Sequence, residues 1–370
     1  MSSLVARLSA ALLLLMVPPA CAGMPAGQSP EQVRQSPASA RQEAGCGPAS
    51  AHAKIRLSRP RSIVLDRGCN LFIADSLGYR VLKIAPSGAV SVVAGGGTEN
   101  PDAGVPGVRS RLAAPQSLST DAAGNVFIGT EDARVLRLAA DGTVRTIAGT
   151  GSCGTGAAPS GPAAKAALCT PNGLATDGAG DLYVADGGNR YVARVTRDGR
   201  ISTIAGIGER VSSGDGGPAA LARIGDPLGI AADATATVYL SDGYSSTVRK
   251  IAGGRISRFA GGGSVSAPGR QRALSADIYP HGLAADAAGN LYIADDLHNQ
   301  VRKVTPEGVI ETVAGTGLAG RTGDGGAAAA ATLKFPQGVA VAADGDLYIA
   351  DTGNDRIRRV TRDGSISTVV

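Results

Sequence analysis

The chain carries six copies of one pattern between Pro60 and Val370, and no other property of the sequence limits the fold as much. The copies open at prolines 53 to 56 residues apart, namely Pro60, Pro115, Pro171, Pro227, Pro280 and Pro336. Within a copy, four apolar runs of four to seven residues are separated by Gly, Asp, Asn or Pro. Short runs bounded by turn residues are typical of antiparallel strands joined by hairpins. A fixed period of this length indicates packed units, none of which can bury both faces alone.

Six four-stranded units that close into a ring form a β-propeller, and we predict this all-β fold for residues 54–370. A helical solenoid does not fit, because the Ala-rich segments with helical character, such as 163–168 and 327–333, are short. The absence of Trp and the length of the period argue against blades of the WD type. Residues 54–57 alternate weakly, so whether they add an outer strand beside the last blade stays open.

The sixth copy resembles the NHL repeat. The resemblance lies in Pro-Gln-Gly-Val-Ala at 336–340, Gly-Asp-Leu-Tyr-Ile-Ala-Asp-Thr-Gly-Asn at 345–354 and Arg-Ile-Arg-Arg-Val at 356–360. The segments at 214–219 and 323–327 are similar to the insert between blades in many exported bacterial members. The resemblance recurs in all six copies and implies a six-bladed propeller. It implies no particular chemistry, since that family contains enzymes, receptors and scaffolds.

Residues 1–22 have the features of an export signal: Arg7, an apolar run at 8–17 and small residues at 20–22. Residues 19–22 also resemble a bacterial lipobox, although Pro18 departs from that pattern. Cys21 is therefore either removed with the signal or lipidated as a membrane anchor. Residues 23–53, rich in Pro, Ser, Gln and Ala, are predicted to form a disordered linker. We expect an extracytoplasmic protein, periplasmic or secreted, without a transmembrane helix.

The four remaining cysteines are an even number, which in an oxidising compartment favours two disulfides. Cys153 and Cys169 lie in one predicted loop and form the better pair. Cys46 with Cys69 follows by elimination. The alternative is four free buried thiols.

The order of the strands indicates where function resides. The end of the ring at which each first strand begins is named the top face; second and fourth strands end there, and we expect the inserts between blades there too. Binding residues concentrate on such loops. The residue after each opening proline should form an inner ring, consisting of Arg61, Gln116, Asn172, Leu228, His281 and Gln337. We predict ligand contacts from Arg61, Gln116, Asn172, His281 and Gln337, with Asp295 and His298 at the rim.

A second ring ends the second strands and comprises Asp75, Thr130, Asp186, Asp242, Asp295 and Asp351. These carboxylates would suit Ca²⁺, but a residue that recurs in most blades is more often structural, accepting backbone hydrogen bonds and pairing with Arg. Zinc needs three or four ligands, whereas the chain has only His52, His281 and His298. The propeller lyase that completes peptide amidation holds zinc with three histidines, which this chain cannot reproduce. We therefore predict no metal ligands, catalytic residues or cofactor.

The third strands carry a row of basic residues, Lys83, Arg137, Arg194, Lys250, Lys303 and Arg359. Few aromatic residues are present to stack on bases, so we predict no nucleic-acid binding and a solvated edge instead. The function predicted from the sequence is an exported, monomeric module that binds a protein or an envelope polymer through its top face. The alternative is a metal-assisted propeller enzyme, either a lyase or a lactone hydrolase.

Overall fold

The computed structural model describes residues 46–48, 50, 54–154, 158–266 and 269–370. The predicted export signal, Cys21 and most of the predicted linker lie outside the described residues. The described part of the chain contains six antiparallel sheets, each of four or five strands. This arrangement confirms an all-β, six-bladed propeller. Among the described residues, no helix combines the length and the apolar character needed to cross a membrane.

The strands occur at corresponding positions in all six blades. The first strands are Pro60–Leu65, Pro115–Thr120, Pro171–Thr176, Pro227–Ala232, Pro280–Ala285 and Gly338–Val341. The second strands are Leu71–Asp75, Val126–Thr130, Leu182–Asp186, Val238–Asp242, Leu291–Asp295 and Leu347–Asp351. The third strands are Arg80–Ile84, Arg134–Leu138, Tyr191–Val195, Thr247–Ala252, Gln300–Val304 and Arg356–Val360. The fourth strands are Val90–Gly95, Thr143–Ala148, Arg200–Ala205, Arg255–Gly261, Val309–Ala314 and Ile366–Thr368.

The ring is closed by packing of blade six against blade one. Ile63 and Leu71 of blade one share a buried apolar cluster with Ala340 and Tyr348 of blade six. The hydroxyl of Thr352 in blade six donates a hydrogen bond of 2.7 Å to the carbonyl of Pro60. Apolar burial at this seam therefore joins the ends of the repeat array. Residues 54–57 form no strand; they contribute Leu57, which is buried in the same cluster.

The inserts between blades take a different path from the one expected. Each begins at the top face, but in five of them a backbone N–H then donates 2.8–2.9 Å to the carbonyl of a glycine in the bottom hairpin of the next blade. These N–H donors are Gly107, Ala163, Ala219, Ala273 and Ala328. The expectation that the inserts lie on the top face is thus wrong for their middle parts. The reason is that small residues let the chain wedge between two blades; the four alanines are almost completely buried.

Three inserts add a fifth strand to the outer edge of the following blade. These strands are Val105–Pro106, Ser160–Pro162 and Gln271–Arg272. Short 3-10 helices follow or replace them at Gly107–Arg109, Ala163–Lys165, Ala219–Leu221, Ala273–Ser275 and Ala328–Ala330. Three more lie at Ser76–Gly78, Pro101–Ala103 and Thr352–Asn354. The short Ala-rich segments are therefore single helical turns.

Both predicted disulfides, Cys46–Cys69 and Cys153–Cys169, are present. Residues 46–48, which the sequence analysis placed in the linker, lie against blade six. The backbone N–H of Cys46 donates to the carboxylate of Asp344, and the hydroxyl of Tyr348 donates to the carbonyl of Pro48 at 3.1 Å. Because Cys69 belongs to the first hairpin of blade one, the Cys46–Cys69 bridge spans the seam at which the ring closes.

Reduction of the disulfides is expected to lower the melting temperature. Each bridge restricts the unfolded chain, and its loss costs about 2–4 kcal/mol in a typical protein. Melting curves with and without a reductant test this. The double variant Cys46→Ser with Cys69→Ser serves as the control, since only its remaining bridge can respond. Curves that do not change with the reductant would contradict a stabilising role for either bridge.

Candidate functional site

The structure brings the predicted inner-ring residues together at the top end of the central channel. Five of the six, Arg61, Gln116, Asn172, His281 and Gln337, line one cavity of about 250 Å³ formed by the first strands, and Leu228 is not among its lining residues. Each of these residues directly follows an opening proline. In blade one, the opening proline Pro60 pairs with Asp75, which lies at the top end of the second strand. Residues at least 55 positions apart in the sequence thereby meet in one basin.

Arg61 is the cation of this basin. Its guanidinium donates to the side-chain carbonyl of Gln116. Burial and the neighbouring Arg59 lower the pKa of Arg61, while Glu131 and Asp296 oppose that change. Across the mouth, the amide of Gln337 donates to Asp296 at 3.3 Å.

His281 adds a neutral group to the basin. Desolvation, reinforced by the charge of Arg61, lowers the pKa of His281 to about 4. The imidazole is therefore uncharged at neutral pH and offers one donor and one acceptor. Burial raises the pKa of Asp296 at the rim. A guanidinium, an imidazole and carboxamides together can recognise a polar or anionic group by directed hydrogen bonds.

The carboxylates of the second ring are structural. All five are completely buried. Each accepts a hydrogen bond from a backbone N–H in the segment just before its blade, the donors being Ser58, Cys169, Asp226, Tyr279 and Lys334. A buried carboxylate engaged in this way ties the approach segment to the blade. Among the described residues, no three His, Cys, Asp or Glu side chains are grouped so that they could hold a metal ion.

Asp295 and His298, the predicted rim residues, differ in accessibility. The Asp295 side chain is 0% exposed, whereas that of His298 is 34% exposed. The Nδ1 atom of His298 lies 2.7 Å from Asp295 Oδ1, and this contact raises the pKa of His298. A ligand on the top face can reach His298, while Asp295 only positions it.

Exposed apolar side chains on the top face are functional candidates that sequence reasoning missed. Leu77, Tyr79, Tyr244 and Leu297 lie in turns between second and third strands, and Phe335 lies just before blade six; they are 41–55% exposed. Leu77 and Phe335 line a second cavity of about 470 Å³, which shares Gln337 with the channel mouth. The sequence contains a signal for them, since they lie two to four residues after a second strand or directly before an opening proline.

The bottom hairpins differ, although the insert turns beside them expose Val108, Leu221 and Leu274. Among the described residues, no exposed large apolar side chain lies in a hairpin that joins first to second or third to fourth strands. Monomeric proteins rarely display clustered apolar side chains without a use for them.

Five of the six basic residues of the third strands interact with side chains of their own blade. Each lies directly opposite an aromatic residue of the second strand, as Lys83 does to Phe72. The ammonium groups of Lys83, Lys250 and Lys303 lie 5.8–6.0 Å from the centres of those rings, and Arg194 and Arg359 form ion pairs with Asp181 and Asp346. The expectation of a simple solvated edge is therefore corrected: these cations help to hold strand to strand.

Comparison with known proteins also supports a propeller built from NHL-like repeats. The family model described as Teneurin NHL domain matches residues 316–370. Mouse (Mus musculus) teneurin-4 is 30% identical over 291 residues, which make up 66% of this chain but 10% of teneurin-4. The chain thus spans only 9–10% of the length of such curated relatives.

Solved structures share the fold. An auxiliary nutrient binding protein from Bacteroides thetaiotaomicron is 14% identical with a TM-score of 0.58, covering 85% of this chain and 70% of that one. A gluconolactonase from Xanthomonas campestris is 17% identical with a TM-score of 0.51, covering 80% and 83%. At these identities the likeness concerns the fold alone.

Proposed function

We propose that this six-bladed β-propeller, whose repeats resemble the NHL repeat, acts as a protein-binding module through its top face. The observation that carries the proposal is the composition of the top face. It combines a polar basin with the exposed side chains of Leu77, Tyr79, Leu297 and Phe335. Apolar anchors around directed polar groups are the composition of protein interfaces.

The physical advantage of the ring is its rigidity. The first strands pack against one another around the channel, so the contact residues are held before a partner arrives. A preformed surface loses little conformational entropy on binding. The basin would then supply specificity through Arg61 and the neutral His281, and the apolar rim would supply most of the affinity.

An extracytoplasmic location is part of the proposal. Two disulfides support it, because such bonds persist in oxidising compartments. The partner would accordingly be a secreted or envelope protein; an envelope polymer is the competing partner. A structural neighbour named as a nutrient-binding protein is consistent with a binding role for this fold.

Replacing the apolar rim is expected to weaken partner binding by at least about 30-fold, the effect of losing an interface hot spot. The variant is Leu77→Ser with Phe335→Ser. The matched control is Leu221→Ser with Leu274→Ser, which alters exposed leucines in helical turns on the outer edge. Quantitative capture from the secreted and envelope proteins of the producing cells measures both. A second arm, Arg61→Ala with His281→Ala, reports on the basin.

Equal capture by the rim variant and the wild type would contradict the proposal. So would tightly bound, stoichiometric Ca or Zn that is lost when His281 is replaced. That result would favour the alternative of a metal-assisted lyase or lactone hydrolase, which assays on purified protein would then address.

A further inference from the structure

Three grooves at the bottom of the ring lie at equivalent places between neighbouring blades. Each is bounded by the first hairpin of one blade and by the hairpin between the third and fourth strands of the next. The grooves between blades one and two, two and three, and five and six have volumes of about 540, 560 and 780 Å³. Each is lined by an aromatic residue of a second strand and the basic residue opposite it, namely Phe72 with Lys83, Phe127 with Arg137, and Tyr292 with Lys303.

The equivalent place between blades six and one is filled by the chain itself. Residues 46–48 are held there by hydrogen bonds to Asp344 and Tyr348 and by the disulfide to Cys69. Tyr348 is completely buried. In the groove between blades two and three, the corresponding lining residues are Ala123, Phe127 and Gly180. The bottom of this ring therefore accepts an occupant between two blades.

The groove between blades two and three, named the 2–3 groove, differs from the others in charge. Arg137 and Arg197 line it. Arg145 pairs directly with Arg137 in the neighbouring strand, so two like charges face each other, an arrangement that destabilises a sheet. In the part of the chain that the structure describes, the side chains of these three arginines form no hydrogen bond and no ion pair.

Equivalent positions show that this charge is particular to the 2–3 groove. At the position of Arg145, blade five has Glu311 and the remaining blades have a serine, namely Ser91, Ser202, Ser257 and Ser367. At the position of Arg197, the groove between blades one and two has Ala140. The groove between blades five and six has Arg362 there, but Asp344 lines the same groove and Glu311 pairs with its lysine.

The acidic residues around the 2–3 groove are engaged in their own turns. Asp121, Asp141 and Asp198 each accept a hydrogen bond from a residue two positions away in the same hairpin. Within the described ranges, none of them forms an ion pair with Arg137, Arg145 or Arg197. The three guanidinium groups therefore lack a bonded counter-charge, which a bound anion would supply.

The remaining lining of the 2–3 groove is mostly apolar and includes Phe127, Ile147, Leu182 and Val195. Its volume lies within the range of sites that bind small molecules. The positions of Asp344 and Tyr348, which bond the backbone of residues 46–48, are held here by Ala123 and Phe127. These two side chains offer no hydrogen bond to a peptide backbone, so the lining suits a hydrocarbon chain or ring better than a peptide.

We infer that the 2–3 groove binds a small carboxylic acid that carries an apolar chain or ring. The apolar part lies against Phe127 and Ile147, and the carboxylate accepts hydrogen bonds from Arg137 and its neighbouring arginines, whose planar groups match a carboxylate. The bound anion also relieves the repulsion between Arg137 and Arg145. The site is at the end of the ring opposite the top face, so it does not depend on the proposed function.

The test is isothermal titration calorimetry of the full chain with sodium octanoate. We expect saturable binding of one octanoate per chain. Sodium acetate, which has the charge without the chain, and octylammonium chloride, which has the chain with the opposite charge, should show no saturable binding. An octanoate titration without saturation would overturn the inference, as would octylammonium binding as tightly as octanoate.

The variant that tests the site is Arg145→Ser with Arg197→Ala. Both replaced residues are exposed, and both replacements are residues that other blades have at these positions. The Kd for octanoate should rise at least about 10-fold, the effect of losing a hydrogen bond to a charged group. The melting temperature without octanoate should stay equal or rise, because the repulsion with Arg137 is removed.

The matched control is Arg362→Ala, which removes the equivalent arginine from the groove between blades five and six and should leave the Kd unchanged. A Kd that rises equally in the control and in the double variant would contradict the assignment to the 2–3 groove. A blocked tripeptide with a central Asp between two alanines forms a further arm. Binding of this peptide more tightly than octanoate would overturn the small acid as the occupant in favour of a partner chain, and weaker binding supports it.

Discussion

Replacing Asp351 with Ala is expected to destabilise the propeller by about 3–5 kcal/mol, the usual cost of removing one partner of a buried ion pair. Asp351 is completely buried and Arg356 is 9% exposed. The carboxylate accepts from Lys334 N, Asn354 Nδ2 and Arg356 Nε at 2.7–2.8 Å. Without it, the guanidinium stays buried with no counter-charge. Chemical denaturation monitored by circular dichroism measures the loss.

Two further variants identify the cause of this loss. Asp351→Asn keeps the shape and one acceptor but removes the charge, so it should retain most of the destabilisation. Asp141→Ala removes an exposed carboxylate that accepts from Thr143 N in a bottom hairpin, and its effect should be far smaller. If Asp351→Ala unfolded no more easily than Asp141→Ala, the second ring would not be structural.

The spacing of the repeat was sufficient to predict the parts of this molecule that depend on register. Residues that follow the opening prolines meet in one basin because the first strands are equivalent, and Arg61 and Gln116 contact each other although 55 residues separate them. The pairing of Cys153 with Cys169 followed from proximity in the chain. Such features need only the fold and the position of a residue within its copy.

The path of the inserts could not be predicted, because it depends on side-chain volume between two blades. Ala219, Ala222 and Ile224 fill the seam between blades three and four, and Ala163, Ala166 and Leu168 fill the preceding seam. The recurring spacing of these small and branched residues is visible in the sequence. The spacing alone does not show that these residues fill the gap between two blades.

The burial of the second-ring carboxylates could not be predicted from the sequence either. The N–H groups that bind these carboxylates lie 16–17 residues earlier in the chain. Asp295 therefore resembled a surface residue at the end of a strand, while its position in the fold is internal. Local sequence cannot show a hydrogen bond whose donor comes from the approach to the previous strand.

We expect the charge on the buried aspartate of blade three to destabilise the fold, whereas the charge on Asp351 stabilises it. Where blades one and six place Arg80 and Arg356 beside the carboxylate, blade three has Tyr191. Asp186 accepts from Cys169 N and Asn189 Nδ2, and no cation contributes to its titration. Desolvation, only partly opposed by these hydrogen bonds, raises the pKa of Asp186 to about 6 from an ordinary 3.8.

The sign of the resulting pH dependence follows from linkage. A carboxyl group whose pKa is higher in the folded state favours folding fully below about pH 4, and this contribution is lost as the pH rises through 6. A shift of roughly two units corresponds to about 3 kcal/mol. Asp186→Asn cannot ionise, so its stability relative to the wild type should increase by about 3 kcal/mol between pH 4 and pH 8.

Denaturation of wild type and Asp186→Asn at pH 4, 6 and 8 measures this difference, and subtracting one curve from the other cancels the titration of all other groups. Any fixed cost of replacing a carboxylate oxygen by an amide nitrogen is the same at each pH and cancels as well. Asp351→Asn supplies the contrast at pH 8, where it should be destabilised because its arginine loses a counter-charge. If Asp186→Asn and Asp351→Asn changed the free energy of unfolding by the same amount at pH 8, a neighbouring arginine would not determine how these buried carboxylates affect stability.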